Sequence, residues 1–539
     1  MTKILIRCDA SLLIGSGHVM RCRNLARLLQ QRGAEVSFIC RKQPGDLIHL
    51  LENEFAVLKL PEQSLLPCKG LQERQLYQAW LGCSQEQDAV DCINALTQAN
   101  ISTASWLVVD HYGLDAQWEV QLITALTDGH SIPHLLAIDD LADRPHQANL
   151  LLDSNFFGEA TENRYHGLVS EKCRQLLGPH YALLAPEYPH LHPLVPKRTR
   201  LKRVLVFFGG VDQDNLTSQA LKALMDPALS DLAVDVVIGR HSPHWKAVKK
   251  LVDQLPNATL HGPLPSLAGL MVRADVAIGA GGATTWERAC LGLPSLVIAI
   301  ATNQLKSTQA LHRAGHLQLL GREAWVSVEE ITSALLARHH EPDAKGAGSG
   351  LTDGWGVSRQ AMAMLGPQEG GLRLRPAMAT DEALLLRWAN DPQVRSNSFT
   401  SEQITPEDHH RWFQKGLNNS QRLHLIATTA DGCPVGQIRF DQQSLSPEGT
   451  SDEAVVALSL DRCARGHGLA GELVSKGLKA LCQHWGASTN VVAEVLTTNT
   501  ASNACFARAG FKQEANVDPS LTCPAQAMNR WHWQSSQSC

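Results

Sequence analysis

The sequence predicts an α/β chain in which two open parallel-sheet units, with a cleft between them, precede a mixed α+β domain. Three observations carry this expectation. Strand-like apolar runs alternate with helical patterns from the first residues to about residue 340, a proline-rich segment interrupts them between Pro186 and Thr199, and the pattern changes at Leu372. At 539 residues the chain exceeds one hydrophobic core and should divide into about three or four domains of roughly 150 residues each.

The first run is Ile4-Leu5-Ile6, followed by a helical pattern through Leu25, Ala26, Leu28 and Leu29 that Gly33 stops. Val36 to Ile39, Trp106 to Val109, Leu135 to Ile138 and Leu150 to Leu152 continue the series. Short buried strands separated by helices imply right-handed βαβ units and a parallel sheet. Pro186, Pro189, Pro193 and Pro196 mark a linker, in which His190 and His192 read as solvated surface histidines. A second strand-rich unit opens at Arg203 to Phe208, ends that strand in Gly209-Gly210-Val211-Asp212, and continues through Val234 to Ile238, Val276 to Ile278 and Leu296 to Ile298. Two such Rossmann-like domains, 1–185 and 200–366, place substrate in the cleft at the carboxyl ends of their sheets.

Glycine and small residues crowd 344–350, and Asp353-Gly354-Trp355-Gly356 leads into a short closing helix, with the boundary near Pro367. In the last domain, 371–535, we expect a strand and two helices, a hairpin of Leu423 to Ala427 with Pro434 to Ile438, a strand from Ala454 to Leu460, a helix, and a late strand from Asn490 to Val495. The chain is 44% hydrophobic and 19% charged, with a net charge of −5, which fits a soluble globular protein and disfavours nucleic acid or an anionic membrane as partner. Its 14 cysteines are scattered, with no C-x-x-C pair, as expected of reduced thiols rather than disulfides or a zinc site. No apolar run reaches about 18 residues and the chain starts directly in a strand, so a cytoplasmic location is expected. Metal ligation has no support in the histidine pattern.

Arg7-Cys8-Asp9 and the loop Gly15-Ser16-Gly17-His18 follow the first strand and lead into a helix at Val19-Met20-Arg21. Strand, glycine turn and helix start form an anion-binding corner. His18 adds an imidazole with the capacity to take a proton from water. A second corner, Asp275 to Ala280 followed by Gly281-Gly282-Ala283-Thr284-Thr285-Trp286-Glu287, lies in the other α/β unit. One corner can hold a diphosphate while the other presents an acid or base, and Glu287 can accept from a ribose hydroxyl pair.

Arg7 to Ala10, Ile14 to Cys22, Val109-Asp110-His111-Tyr112, and Gly279 to Glu287 continuing through Leu291-Gly292-Leu293-Pro294 to Asn303-Gln304 resemble the UDP-sugar hydrolases of pseudaminic acid biosynthesis. That family releases 2,4-diacetamido-2,4,6-trideoxy-L-altrose from UDP, and the resemblance spans residues 1 to about 365. It implies a GT-B-like fold and metal-independent hydrolysis at the anomeric carbon, with His18 as the base for water. Backbone donors at Gly281 and Gly282, with Thr284, would meet UDP; Asn303 and Gln304 would bind sugar or phosphate; Asp9, Arg21, Asp110 and Tyr112 would lie near the sugar.

Arg465-Gly466-His467-Gly468-Leu469-Ala470 forms another diphosphate loop between a strand and a helix. With Asn499, Ser502, Phe506 and Gly510-Phe511 it resembles the GNAT acetyltransferases, in which this loop binds the pyrophosphate of acetyl-CoA. Leu372 to Pro376, Trp388-Ala389-Asn390-Asp391 and Val394-Arg395 are similar to the branch that acetylates a UDP-4-amino sugar one step earlier in the same pathway. Phe506 stands where many GNAT enzymes carry a tyrosine acid. All five tyrosines (Tyr77, Tyr112, Tyr165, Tyr181, Tyr188) lie in the first half. Water, Ser502 or Cys505 could protonate the departing thiolate, or it leaves unassisted; Glu453 or Glu494 could take the amine proton through water. The implied activity is bifunctional, N-acetylation then hydrolysis, with UDP-sugar and acetyl-CoA as the small-molecule substrates. A glycosyltransferase head and a CoA-binding tail without catalysis are the alternative readings.

Overall fold

Runs of buried Ile, Val and Leu build three sheets. A computed structural model describes residues 2–63, 73–129, 131–323, 325–340, 350–368, 370–444, 452–486, 490–514 and 527–534. The chain forms two compact units, 1–357 and 358–539. Of the glycine-rich stretch expected at 344–350, residues 344–349 lie outside the described residues.

In the first unit, β1 (Lys3–Cys8), β2 (Glu35–Arg41), β3 (Ala56–Leu60), β4 (Trp106–Asp110), β5 (His134–Ile138), β6 (Leu150–Asp153) and β7 (Arg174–Leu177) form a parallel sheet in the order β3-β2-β1-β4-β5-β6-β7. Leu5, Leu107, Val109, Leu135 and Leu151 pack one face against Trp118 and Leu122 of the helix Ala116–Ala125. Strand order reverses between β1 and β4, whose last residues, Cys8 and Asp110, are register partners. A crevice opens at the carboxyl ends of strands at such a reversal, because the connections leave in opposite directions.

The same construction recurs in β8 (Arg203–Phe207), β9 (Ala233–Val237), β10 (Ala258–His261), β11 (Val276–Ala280), β12 (Ser295–Ala299) and β13 (Gln318–Arg322), ordered β10-β9-β8-β11-β12-β13 and parallel throughout. Its reversal lies between β8 and β11. Part of the proline-rich linker is solvated as the sequence suggested, with His190, Pro193, Leu194 and Pro196 exposed, while His192 is half-buried. Its prolines limit it to short turns, Glu187–Leu191 and His192–Leu194, and these pack on the second sheet's helices. Tyr188 is buried, His192 Nδ1 lies 2.5 Å from the Cys290 carbonyl, and His190 meets the Trp355 ring edge to face.

In the second unit, β14 (Arg373–Pro376), β15 (Arg422–Thr428), β16 (Pro434–Ser444), β17 (Asp452–Leu460), β18 (Asn490–Leu496), β19 (Lys512–Gln513) and β20 (Met528–Gln534) form a sheet ordered β14-β15-β16-β17-β18-β20-β19. Three α-helices, Glu382–Ala389, Pro392–Ser396 and Pro406–Leu417, precede β15, where the sequence suggested two; Pro392 at the first position after the Asp391 cap starts the additional one. Among the described residues, only β17 and β18 pair in parallel, and only over Glu453 to Val455. Beyond that point the two strands part, leaving an opening between them. Among the described residues no helix is long and apolar enough to cross a membrane.

Candidate functional site

Gly17 starts the helix Gly17–Gln31 immediately after the β1 loop, so His18 stands in the first turn above the β1/β4 reversal. Asp110 ends β4 directly opposite. The His18 Nδ1 atom lies 2.5 Å from Asp110 Oδ1, and Asp110 is fully buried while His18 keeps 7% of its surface exposed. Arg21, one turn along the helix, donates from Nε and Nη2 to the two Asp110 oxygens, each at 2.7 Å. Burial alone would raise the Asp110 carboxyl, but the adjoining Arg21 and His18 hold it far below the usual carboxylate range. An ionised Asp110 accepts from Nδ1–H, which leaves Nε2 with a lone pair. Nε2 makes no hydrogen bond among the described residues.

The network continues through Asp140. Its carboxylate accepts from Arg21 Nη1 at 2.8 Å, from Asn155 Nδ2 at 2.8 Å and from the Tyr112 hydroxyl. The Tyr112 ring meets His18 edge to face at 4.5 Å and stacks on Trp80. Burial beside Asp140 raises the Tyr112 phenol well above its ordinary range. The structure therefore brings His18, Arg21, Asp110 and Tyr112 into one cluster. Asp9 lies apart from it, accepting from Arg7 Nη1 at 2.6 Å and from the Arg41 backbone N–H at 2.7 Å within a buried ion cluster that includes Asp88.

At the second reversal, β11 runs into Gly281-Gly282 and the helix Thr284–Cys290. A Cβ on Gly281 would stand 2.5 Å from Thr308 Cγ2, so only glycine lets this loop pass the helix Thr302–Arg313. Gln304 belongs to that helix, lies against both glycines, and accepts from the Ile300 N–H at 3.2 Å. Asn303 is its half-buried neighbour. Thr284 Oγ1 accepts from Arg288 Nη1 at 3.0 Å, which leaves the threonine hydroxyl proton to donate. Half-buried Glu287 is pushed up to about 7 by desolvation, against the opposing effect of the Tyr188 hydroxyl.

In the second unit Gly466 and Gly468 take φ of +79° and +75°, a region that costs other residues about 1–2 kcal/mol. Gly468 is the N-cap of the helix Leu469–Trp485 and supplies no capping side chain, so the first-turn N–H groups are left to a ligand. Leu469 is buried and anchors that turn, with Ala470 half-buried beside it. Arg465 does not point away freely: its guanidinium holds the Leu460 carbonyl, Gln393 and Asp391. These features fit a diphosphate cradle such as acetyl-CoA requires. Asn499 caps the helix Thr500–Arg508 by accepting from the Ser502 N–H at 3.1 Å. Phe506 is buried against Phe511, and burial raises the Cys505 thiol.

Residues 371–512 match the family model of the acetyltransferase (GNAT) domain. The chain carries a GNAT domain. Its N-terminal part is similar to the spore coat polysaccharide biosynthesis protein SpsG of Bacillus subtilis, 24% identical over 308 residues, 57% of this chain and 80% of that protein. It is likewise similar to the UDP-2,4-diacetamido-2,4,6-trideoxy-beta-L-altropyranose hydrolase of Campylobacter jejuni, 24% identical over 316 residues, 58% of this chain and 97% of that enzyme. An uncharacterized Methanocaldococcus jannaschii protein is 21% identical over 466 residues, 82% of this chain and 84% of its own length. The first unit holds two Rossmann-like parallel sheets, and the GNAT domain follows it.

Sequence reasoning missed Asp140 and Asn155. The available signal was Asp139-Asp140 at the carboxyl end of β5, the edge where the crevice lies. In the GNAT domain it missed the line His424, Gln437 and Ser459, which touches only across strands.

Proposed function

We propose that the chain is a bifunctional sugar-nucleotide enzyme of the cytoplasm. Its GNAT domain transfers an acetyl group from acetyl-CoA to the amine of a UDP-4-amino-4,6-dideoxy sugar, and its first unit hydrolyses UDP-2,4-diacetamido-2,4,6-trideoxy-beta-L-altropyranose to UDP and free sugar. The similarity to the Campylobacter hydrolase and the GNAT match support the two halves of this reading. The observation that carries it is the His18–Asp110–Arg21 line at the β1/β4 reversal.

In hydrolysis His18 Nε2 takes a proton from water as the water oxygen bonds to the anomeric carbon. The bond from that carbon to the diphosphate oxygen breaks, and UDP leaves with the electron pair. Asp110 stabilises the imidazolium that forms, and Arg21 fixes Asp110. Gly281, Gly282, Thr284 and Gln304 supply donors for the diphosphate, with Asn303 beside them and Glu287 toward the ribose. In acetyl transfer Gly466, Gly468, Leu469 and Ala470 present backbone N–H groups to acetyl-CoA. Asn499 and Ser502 start the neighbouring helix, whose Phe506 packs against Phe511.

The test supplies a UDP-4-amino sugar with and without acetyl-CoA and follows UDP, free sugar and free thiol. UDP release that requires prior acetylation is the expected result. Release only with an added sugar acceptor would favour a transferase, and a His18→Ala variant hydrolysing at the parental rate would remove His18 from the chemistry.

A further inference from the structure

Ser459 lies on β17 four residues past the end of its pairing with β18, at the edge of the opening between the strands. It is 8% exposed, and the next residue, Leu460, gives its carbonyl to Arg465 of the diphosphate loop. Across the sheet, Gln437 of β16 donates from Nε2 to Ser459 Oγ at 3.1 Å, and its Oε1 lies 2.5 Å from His424 Nε2 of β15. The three side chains form one line toward the opening.

The line has a direction. Burial pushes His424 down to about 4, so its ring carries a single proton at neutral pH. A carbonyl oxygen only accepts, so that proton sits on Nε2 facing Gln437. The Gln437 amide then occupies one lone pair of the Ser459 hydroxyl. The hydroxyl proton has no acceptor among the described residues.

Resting on the acetyl-transfer reading above, we propose that Ser459 donates a hydrogen bond to the thioester carbonyl oxygen, with Gln437 and His424 as positioning residues behind it. As the amine attacks, the N–C bond forms and that oxygen takes up charge. When the C–S bond breaks, sulfur leaves with the electron pair and the surplus proton on nitrogen passes to solvent. Ser459 keeps its proton throughout. A donor aimed at charge that develops during reaction acts on kcat more than on binding.

Isotope-edited infrared difference spectra of the full chain with acetyl-CoA, labelled at the acetyl carbonyl, read the contact directly. The carbonyl band should lie lower in the parent than in Ser459→Ala, with Gln437→Leu between them. With a UDP-4-amino sugar as acceptor, Ser459→Ala should lose roughly 100-fold in kcat with KM for acetyl-CoA within about twofold, and Ser459→Thr should recover most of it. An unmoved band in Ser459→Ala, or its parental kcat, overturns the assignment. A parent chain that binds acetyl-CoA but releases no thiol overturns the acetyl-transfer reading, while the band still decides the contact. A parent chain that does not bind acetyl-CoA overturns both.

Discussion

Replacing Asp110 with Asn removes one charge and almost no volume, and the surrounding geometry sets the size of the effect. Asp110 Oδ1 accepts from His18 Nδ1 and Arg21 Nη2, while Oδ2 accepts from Arg21 Nε and the Cys22 thiol. Whichever way the amide turns, its NH2 faces a guanidinium N–H. If it also faces Nδ1, the ring proton moves to Nε2, the atom that must accept from water. Loss of the correct tautomer and of the counter-charge is worth roughly 10³–10⁴ in kcat, about 4–5.5 kcal/mol. A buried guanidinium without its main partner costs about 3–5 kcal/mol of stability, toward the lower figure here because Asp140 still pairs with Arg21. UDP release under saturating substrate, with melting followed on the same samples, separates the two effects. A His18→Ala/Asp110→Asn double variant should be no slower than the slower single one, since the two side chains act together. Hydrolysis by Asp110→Asn within about tenfold of the parent would refute the reasoning.

Three further outcomes are expected. His146, buried between Glu119 and Asp139, is raised to about 9 from 6.5, so it contributes stability that is fully present below about pH 6.5 and lost as pH rises through about 9, on the order of 3 kcal/mol; His146→Gln should flatten the melting curve over that window, and an unchanged slope counts against it. Glu287, raised to about 7, should gain affinity for UDP as pH rises from about 6 to about 8 if the ionised form accepts ribose hydroxyls, and calorimetry should find that rise absent in Glu287→Gln. Gly281→Ala sets a methyl 2.5 Å from Thr308 Cγ2 and should cost about 1–3 kcal/mol; Thr308→Ser, which removes that methyl and keeps the hydroxyl, should restore melting temperature and UDP binding together.

The central strands were legible because they are short apolar runs whose period and length leave few alternatives, as Ile4-Leu5-Ile6 and Val276-Ala277-Ile278 illustrate, whereas β3, β7, β10, β13, β19 and β20, shorter or broken by polar residues, were not. His18, Gly281 and Gly282 were legible because the strand–glycine–helix order confines them to a carboxyl edge. Partners distant in sequence were not. Asp140 meets Arg21 across 119 positions, and Gln437 meets His424 and Ser459 only because three strands lie in one register. Nor was the surrounding of Asp9 legible: it follows β1, and Arg7 on the same strand turns inward and draws its carboxylate into the buried cluster. The linker's short helices were not legible because four prolines in a short stretch read as a plain connection, whereas one-turn helices can still lay rings on a neighbour.

Charge separates the roles of the two glycine corners. Around His18 the single positive charge of Arg21 faces the carboxylates of Asp110 and Asp140, so the cluster without a proton on the histidine is net negative. A diphosphate placed there would meet repulsion, whereas a neutral water molecule beside Nε2 would not. The Gly281-Gly282 loop has the opposite character. Its glycines bring backbone close to Gln304, the nearby Arg288 is cationic though lowered to about 10 by burial, and Glu287, held near neutrality, carries only part of its charge. Similar backbone geometry therefore suits different work in the two halves: the second for holding an anion, the first for receiving a proton. That division follows from which side chains flank each turn, and it predicts that free UDP binding survives His18→Ala while Gly281→Ala abolishes it.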